Sequence, residues 1–345
     1  MGSFVERASG VIPRRRMLNL RFIHDFQQID PGDYHSGYPP GPIKDWPVHS
    51  ADRHIQVLDK DQVIAHASLW WKQAPTFPGD RLGLIGHFGA GTDDSAAALL
   101  GACCTQLRQQ GCTRAVGPMD GNTWRRYRLV TDFGSEPPFF LEPWNPRSWP
   151  GLFEAANFLP LSNYYSASVL DLDRTDPRLN STEERMKNQG VTIRAITQSD
   201  FEDDLKRIYA VSIVSFQRNY LYTELSEADF LSLYLPYRER IYPQLMLLAE
   251  HQGEPVGFVF AIPDYAQSLR GRKIDTVIGK TLARLPARIY SGLGLVLTQR
   301  LHQHARDLGF TRLIHALQHE DNSVRKQTEF YGSPMRRYTL YSKAL

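Results

Sequence analysis

The chain has 345 residues, 42% hydrophobic and 11% aromatic, enough for one large core or two of ordinary size. Its 40 basic and 37 acidic side chains leave a net charge of +3, which argues against a nucleic-acid partner. No apolar run approaches a membrane span and no secretory signal precedes the first predicted element, so the reading is a cytoplasmic protein with no membrane partner. The 3 cysteines, Cys103, Cys104 and Cys112, fit neither a disulfide framework nor a metal ligand set. The basic PRRR at 13–16 reads as a solvated stretch.

In chain order, HIQVLD (54–59) and QVIAHASLWW (62–71) alternate about a Lys60–Asp61 turn and predict a hairpin. RLGLIGHF (81–88) is the next strand. DDSAAALLGACCTQLRQQG (93–111) predicts a helix, with Asp93 at its start and Gly111 at its stop. TRAVGPM (113–119) follows as a strand. A Pro-rich aromatic segment (136–150) leads to a short helix at 151–158 and a strand at 163–173. The polar residues 173–190 read as a connector.

The second half repeats this order. VTIRAI (191–196) is a strand, and two helical stretches lie around 199–217 and 226–240. MLLAEHQG (246–253) and EPVGFVFAI (254–262) form a hairpin about Gly253, and KIDTVIGKTLA (273–283) is a strand. A helix over 291–310 stops at Gly309. TRLIHALQ (311–318), a short helix over 322–332 and a terminal strand from Arg336 complete the order. QLRQQGCTRAVG (106–117) parallels HARDLGFTRLIH (304–315): each polar helix end stops at Gly, and x-Thr-Arg launches an apolar strand. We expect an α/β chain of α+β type in two tandem units, each a mixed central sheet flanked by helices. The units span 1–175 and 191–345, joined by a linker over 176–190.

The junction LPARIYSGLGLV (285–296) carries the chemistry. Glycine costs a helix roughly 1 kcal/mol relative to alanine, yet Gly292 and Gly294 stand where a helix begins. That end has unpaired N–H groups and the positive pole of the macrodipole, and missing Cβ atoms let an anion approach. Arg284 and Arg288 lie on the approach, where they suit a diphosphate. Either the turn itself needs flexible backbone or the junction cradles phosphate.

The order strand, Pro286, Gly292, Gly294, helix, strand and Asn322 resembles the GNAT superfamily of acyl-CoA N-acyltransferases, over about 40–175 and 190–345 and most specifically over 273–332. Ile289 stands where that superfamily usually has Arg or Gln, and Tyr290 where its first Gly often stands; Arg288 is the offset basic residue. The resemblance implies that the strand before the glycines splays from its neighbour. The backbone of Thr281, Leu282 and Ala283 would then bond the pantetheine arm, Arg288, Gly292, Leu293 and Gly294 would hold the diphosphate, and Asn322 would flank it. The co-substrate would be acetyl-CoA or another acyl-CoA, without a metal. The acceptor would be a small-molecule or peptide amine, and the oligomeric state stays open.

In the first half, GHFGAGTDD (86–94) places Asp93 and Asp94 at the helix start, where they cap it and repel phosphate. Acyl-CoA is therefore expected in the carboxy-terminal unit. The reaction needs a base, backbone donors for an oxyanion and an acid for the thiolate. Glu320, Asp321 and Tyr331 form the expected catalytic group. Asp321 reads equally as a helix cap and Tyr331 as packing beside Gly332, since the superfamily's usual tyrosine position is Thr328. The aromatic segment reads as a substrate-facing loop or as interdomain packing. WRRYR (124–128) reads as a solvated basic face or an attractor for an acidic substrate. A Fem-type aminoacyl transferase and a non-catalytic acyl-CoA-binding scaffold are the alternatives.

Overall fold

A computed structural model describes residues 18–30, 46–322 and 325–345, so the PRRR stretch lies outside the described residues. The first hairpin forms as β2 (Arg53–Asp59) and β3 (Gln62–Trp70), with β1 (Asn19–Ile23) added at the β2 edge. Alternation puts Ile55, Val57, Ala65 and Ala67 on one face, against Leu99, Leu100 and Cys103 of α1 (Asp93–Gln109). Every residue of β4 (Leu82–Ala90) is buried, as befits a strand covered on both faces. It pairs in parallel with β5 (Arg114–Gly117). Then come β6 (Leu129–Asp132), α2 (Trp149–Ala155) and β7 (Leu159–Val169).

The stretch read as a connector contains a helix, α3 (Leu179–Asn188), whose one buried residue is Met186. A single apolar anchor gives no periodic signal, and α3 is held by packing on α7 (Leu293–Asp307). The second unit continues with β8 (Val191–Ala195), α4 (Phe201–Ser215), α5 (Glu227–Tyr234), β9 (Met246–His251) and β10 (Glu254–Pro263). After α6 (Tyr265–Leu269) come β11 (Thr276–Arg284), β12 (Arg312–His319), α8 (Arg325–Tyr331) and β13 (Ser333–Ala344). One face of this half is covered by α7. The other carries α4 and α5, whose Phe201, Leu205, Ile208 and Phe230 pack on Leu248, Phe258 and Ala283.

The strands form one sheet in the order β1-β2-β3-β4-β5-β13-β7-β12-β11-β10-β9-β8, with β6 paired to β13 off this path. The order is palindromic once the two halves are matched, which is the signature of duplication. The repeat aligned in sequence holds in the backbone: Gly111 and Gly309 take φ of 79° and 85°. Thr113 and Thr311 each donate to the carbonyl just ahead of the neighbouring strand, Arg81 and Asp275. At the centre the last strands are exchanged. β7 pairs with β12, β13 pairs with β5, and the two pair with each other from Ser333↔Ser168 to Ser342↔Leu159. A cut of the chain near 175–190 is therefore not a cut of the sheet.

Candidate active site

Strands β11 and β12 keep parallel register from Thr276↔Arg312 to Gly279↔His315 and then part. β11 stays on β10 and β12 stays on β7. Two irregularities accompany the parting. Phe260 faces Thr281 while Ala261 faces Gly279, leaving Lys280 as an extra residue on β11. On β12 the register slips between His315 and Gln318, and Leu317 takes φ of 60°. Bulges bend a strand and free its ladder groups. A notch results, with the backbone of Thr281, Leu282 and Ala283 along one bank.

From that bank the chain passes Pro286 and a 3-10 turn over Arg288–Tyr290 to α7, with Arg288 exposed. Gly292 is the N-cap at φ of 88°; no side chain caps the helix and its first turn holds no acid. The two glycines differ in kind. A Cβ on Gly292 would lie 2.7 Å from Thr182 Cγ2 of α3, so the fold alone requires glycine there. A Cβ on Gly294 would meet only Leu282 Cδ2 at 3.6 Å, so the fold does not require it. Arg185 of α3 donates to the Ile289 and Ser291 carbonyls, adding a guanidinium to the loop. Asn322 is exposed beyond β12, its N–H on the His319 carbonyl.

The corresponding opening in the first half is filled by the chain itself. β4 and β5 pair only from Leu82↔Arg114 to Leu84↔Val116. Past that point Met119 N–H donates to the Ile85 carbonyl at 2.8 Å and His87 N–H to Asp120 Oδ1 at 2.6 Å. The start of α1 is closed by a capping box between Thr92 and Ser95, with Asp93 and Asp94 in its first turn.

The expected catalytic residues do not converge. Glu320 is paired with Arg337 of β13 at 2.8 Å. Asp321 has its side chain 92% exposed. Tyr331 is buried on the α7 side, its hydroxyl donating to Gln299 Oε1 at 2.7 Å, and burial pushes its pKa up to about 12.

A different set stands at the notch, on the face opposite α7. Lys280 of the bulge is half-buried, with Nζ 3.5 Å from the Leu141 carbonyl. Burial and then the Arg128 charge pull its pKa down to about 8, with Glu142 acting the other way. The Glu142 carboxylate is fully buried, 2.8 Å from Arg336 Nε, and accepts from the Tyr338 hydroxyl and from Phe139 N–H. Burial outweighs these partners and raises its pKa to about 7. Arg336 also donates to the carbonyls of Phe133, Glu136 and Pro137, which pins the aromatic segment to β13. Arg128, from the cluster read as a solvated face, is buried over the rings of Tyr127 and Tyr164. The alternation of rings and arginines in WRRYR was the available signal, since guanidinium planes stack on aromatic faces.

A strand that splays from its neighbour ahead of a glycine-containing turn and helix is the feature expected of the GNAT fold. The chain has that fold, in two copies that share one sheet. Among solved structures, a GCN5-related glucosamine N-acetyltransferase region of a fungal multi-domain GH3 β-N-acetylglucosaminidase matches with a TM-score of 0.54. It is 13% identical, over 95% of this chain and 38% of that one. A GCN5-related N-acetyltransferase from Sphaerobacter thermophilus gives 0.50 at 14% identity, over 91% of this chain and 87% of that one. A probable N-acyltransferase from Enterococcus faecalis V583 gives 0.54 at 9% identity, over 95% and 72%. In sequence, protein YghO of Escherichia coli K12 is 25% identical over 295 residues, 75% of this chain and 74% of that protein. The bacterial ceramide synthase of Caulobacter vibrioides is 24% identical over 215 residues, 59% of this chain and 55% of that protein. No family model matches. Among the described residues no group of 3 or more His, Cys, Asp or Glu is placed to hold a metal, and no helix is long and apolar enough to cross a membrane.

Proposed function

We propose that the chain is an acyl-CoA-dependent N-acyltransferase acting on an amine of a small molecule or peptide. The observation that carries the proposal is the notch opened by the Lys280 bulge beside an uncapped helix start. Thr281, Leu282 and Ala283 would bond the pantetheine arm as an added strand. The N–H groups at Gly292, Leu293 and Gly294, with Arg288, would meet the diphosphate, and Asn322 would flank it. In the transfer the amine nitrogen forms the C–N bond as the C–S bond breaks. The amine's proton passes to neutral Lys280, and the ammonium so formed returns a proton to the thiolate. N–H groups freed at the bulge would face the developing oxyanion.

Acetyl is the acyl group the packing favours. Phe139, Ile262, Ile278, Ile314 and Ala316 form a tight cluster on this face, each at most 6% exposed, so a long chain would have to displace them. A longer acyl group is the second reading, supported by the name of the Caulobacter relative. Thermal shift and thiol release with acetyl-CoA and a long-chain acyl-CoA, across a panel of amines, test both. Stabilisation with thiol release is expected. Stabilisation without release would favour a binding scaffold, and transfer from aminoacyl-tRNA alone would favour the Fem-type alternative. No response to any acyl-CoA would count against the proposal.

A further inference from the structure

Arg128 is a buried charge whose influence on Lys280 is the one role acyl transfer gives it. The residue is 6% exposed, and its Nε and Nη1 are enclosed with no hydrogen-bond acceptor among the described residues. Its φ of 67° is uncommon for a side chain of this size, so the surrounding structure holds a strained backbone there. The guanidinium lies 4.0 Å from the Tyr127 ring, 4.2 Å from Tyr164 and 5.8 Å from Tyr338. Rings offset part of the cost of burying charge but accept no conventional hydrogen bond. At Lys280 burial acts first and the Arg128 charge second in lowering the pKa. At His319 burial again leads and Arg128 adds to it. Tyr164, one of the rings beside Arg128, packs edge-on against His319 of β12 at 5.0 Å, which places Arg128 next to the β12 bank of the notch. The Glu142 carboxylate is already engaged by Arg336, Tyr338 and Phe139.

Two cations thus meet at the notch with one of them unanswered. Flanking rings cover the faces of the guanidinium, so only its edge is left to an anion, which suits a flat one lying in that plane. The face is the one opposite α7, away from the helix start proposed for the diphosphate. The crevice that Arg128 shares with Pro143 and Asn145 measures about 10 Å³, room for one water and too small for an organic anion. We propose that Arg128 binds a carboxylate on the acyl acceptor, which makes the acceptor an amino acid or a peptide with a free carboxylate near its amine. That the carboxylate's carrier is an acceptor rests on the acyl-transfer reading; carboxylate binding itself does not.

The test measures thermal shifts of the full chain, with and without acetyl-CoA, against the 20 common amino acids and the decarboxylated amines of serine, lysine and phenylalanine. Wild type, Arg128→Gln and Arg128→Lys are compared. At least one amino acid should stabilise wild type while its decarboxylated amine does not, and Arg128→Gln should abolish that response. Unliganded Arg128→Gln should melt no lower than wild type, because an unanswered buried charge is gone. In turnover, acceptor KM should rise roughly 10- to 100-fold in Arg128→Gln, the kcat-pH limb should move to higher pH as Lys280 loses a repelling charge, and Arg128→Lys should recover part of both. Equal response to amines and amino acids would overturn the proposal. So would a less stable Arg128→Gln with its ligand response intact, the result expected if water satisfies the guanidinium. If Arg128→Gln does not fold, the wild-type comparison decides alone. Dependence on Arg128 only with succinyl-CoA would move the carboxylate to the donor and also overturn it. Thiol release without carboxylate preference sinks this inference alone, whereas a carboxylate shift without any acyl-CoA response sinks only the acyl-transfer reading.

Discussion

Lys280 shows how one inserted residue shapes the notch. The bulge lifts it out of the ladder toward Leu141 and Glu142, where burial leads in bringing the ammonium to about 8 and the carboxyl to about 7. A lysine with a lowered pKa is a base once neutral, so kcat should rise with pH toward a plateau above about 8. Lys280→Met should lower kcat roughly 100-fold and remove that limb, read by thiol release across the pH range. An unchanged profile would exclude Lys280 from the proton path. Glu142→Gln leaves Arg336 buried without its counter-charge, at a cost of about 3–5 kcal/mol, visible as a fall in the urea midpoint. Neither residue was legible as a site in the sequence. A bulge depends on the partner strand's register, and Glu142 sits in an aromatic segment whose packing only the fold reveals.

The two glycines of the α7 junction argue at the level of the element. Gly292 serves the turn and the approach of α3, while Gly294 sits in the first helical turn with space beside it. Gly294→Ala should stabilise the unliganded chain by up to about 1 kcal/mol. Gly292→Ala should destabilise it, since alanine at that φ is strained and meets Thr182. Thermal melts of the pair separate them, and equal effects would refute the distinction. Hairpins, α1 and α7 were readable because alternation, capping residues and stop glycines agree along each segment. α3, β1 and β6 were not, being short or too polar to carry a period. The glycine pair marked the strand-to-helix corner beside the notch, but composition could not tell the fold's glycine from the one left open.

Across the whole molecule, exchange of β7 and β13 ties the two units into one sheet. The duplication was visible in QLRQQGCTRAVG and HARDLGFTRLIH; the exchange was not, since strand partners far apart in the chain leave no local trace. Residues 1–175 alone would expose the β5 and β7 edges that β13 covers. We expect that fragment to aggregate, co-expression with 176–345 to restore a soluble pair, and the intact chain to melt in one transition. Two separate transitions would contradict this. Acid should also weaken the fold. Burial leads in lowering His66 to about 3 and His315 to about 4, and holds His54, His87 and His302 well below 6.5. They are neutral when folded and take protons when unfolded, so their stability contribution is full above 6.5 and lost as pH falls toward about 4. Each buried imidazole adds up to about 1.4 kcal/mol per pH unit in that window. Glu142 and Asp264, raised by burial, oppose the trend as two carboxyls against five imidazoles. A melting temperature that stays flat from neutral pH down to about 4.5 would contradict it.

The most direct measurement is titration calorimetry of acetyl-CoA onto wild type, Gly294→Glu and Gly91→Glu. Both positions have room for a Cβ, with nearest contacts of 3.6 Å; Gly91 lies just ahead of the α1 N-cap Thr92 and Gly294 in the first turn of α7. The account predicts one site in wild type and Gly91→Glu and none in Gly294→Glu. Binding that survives Gly294→Glu, or that disappears with Gly91→Glu, would contradict it.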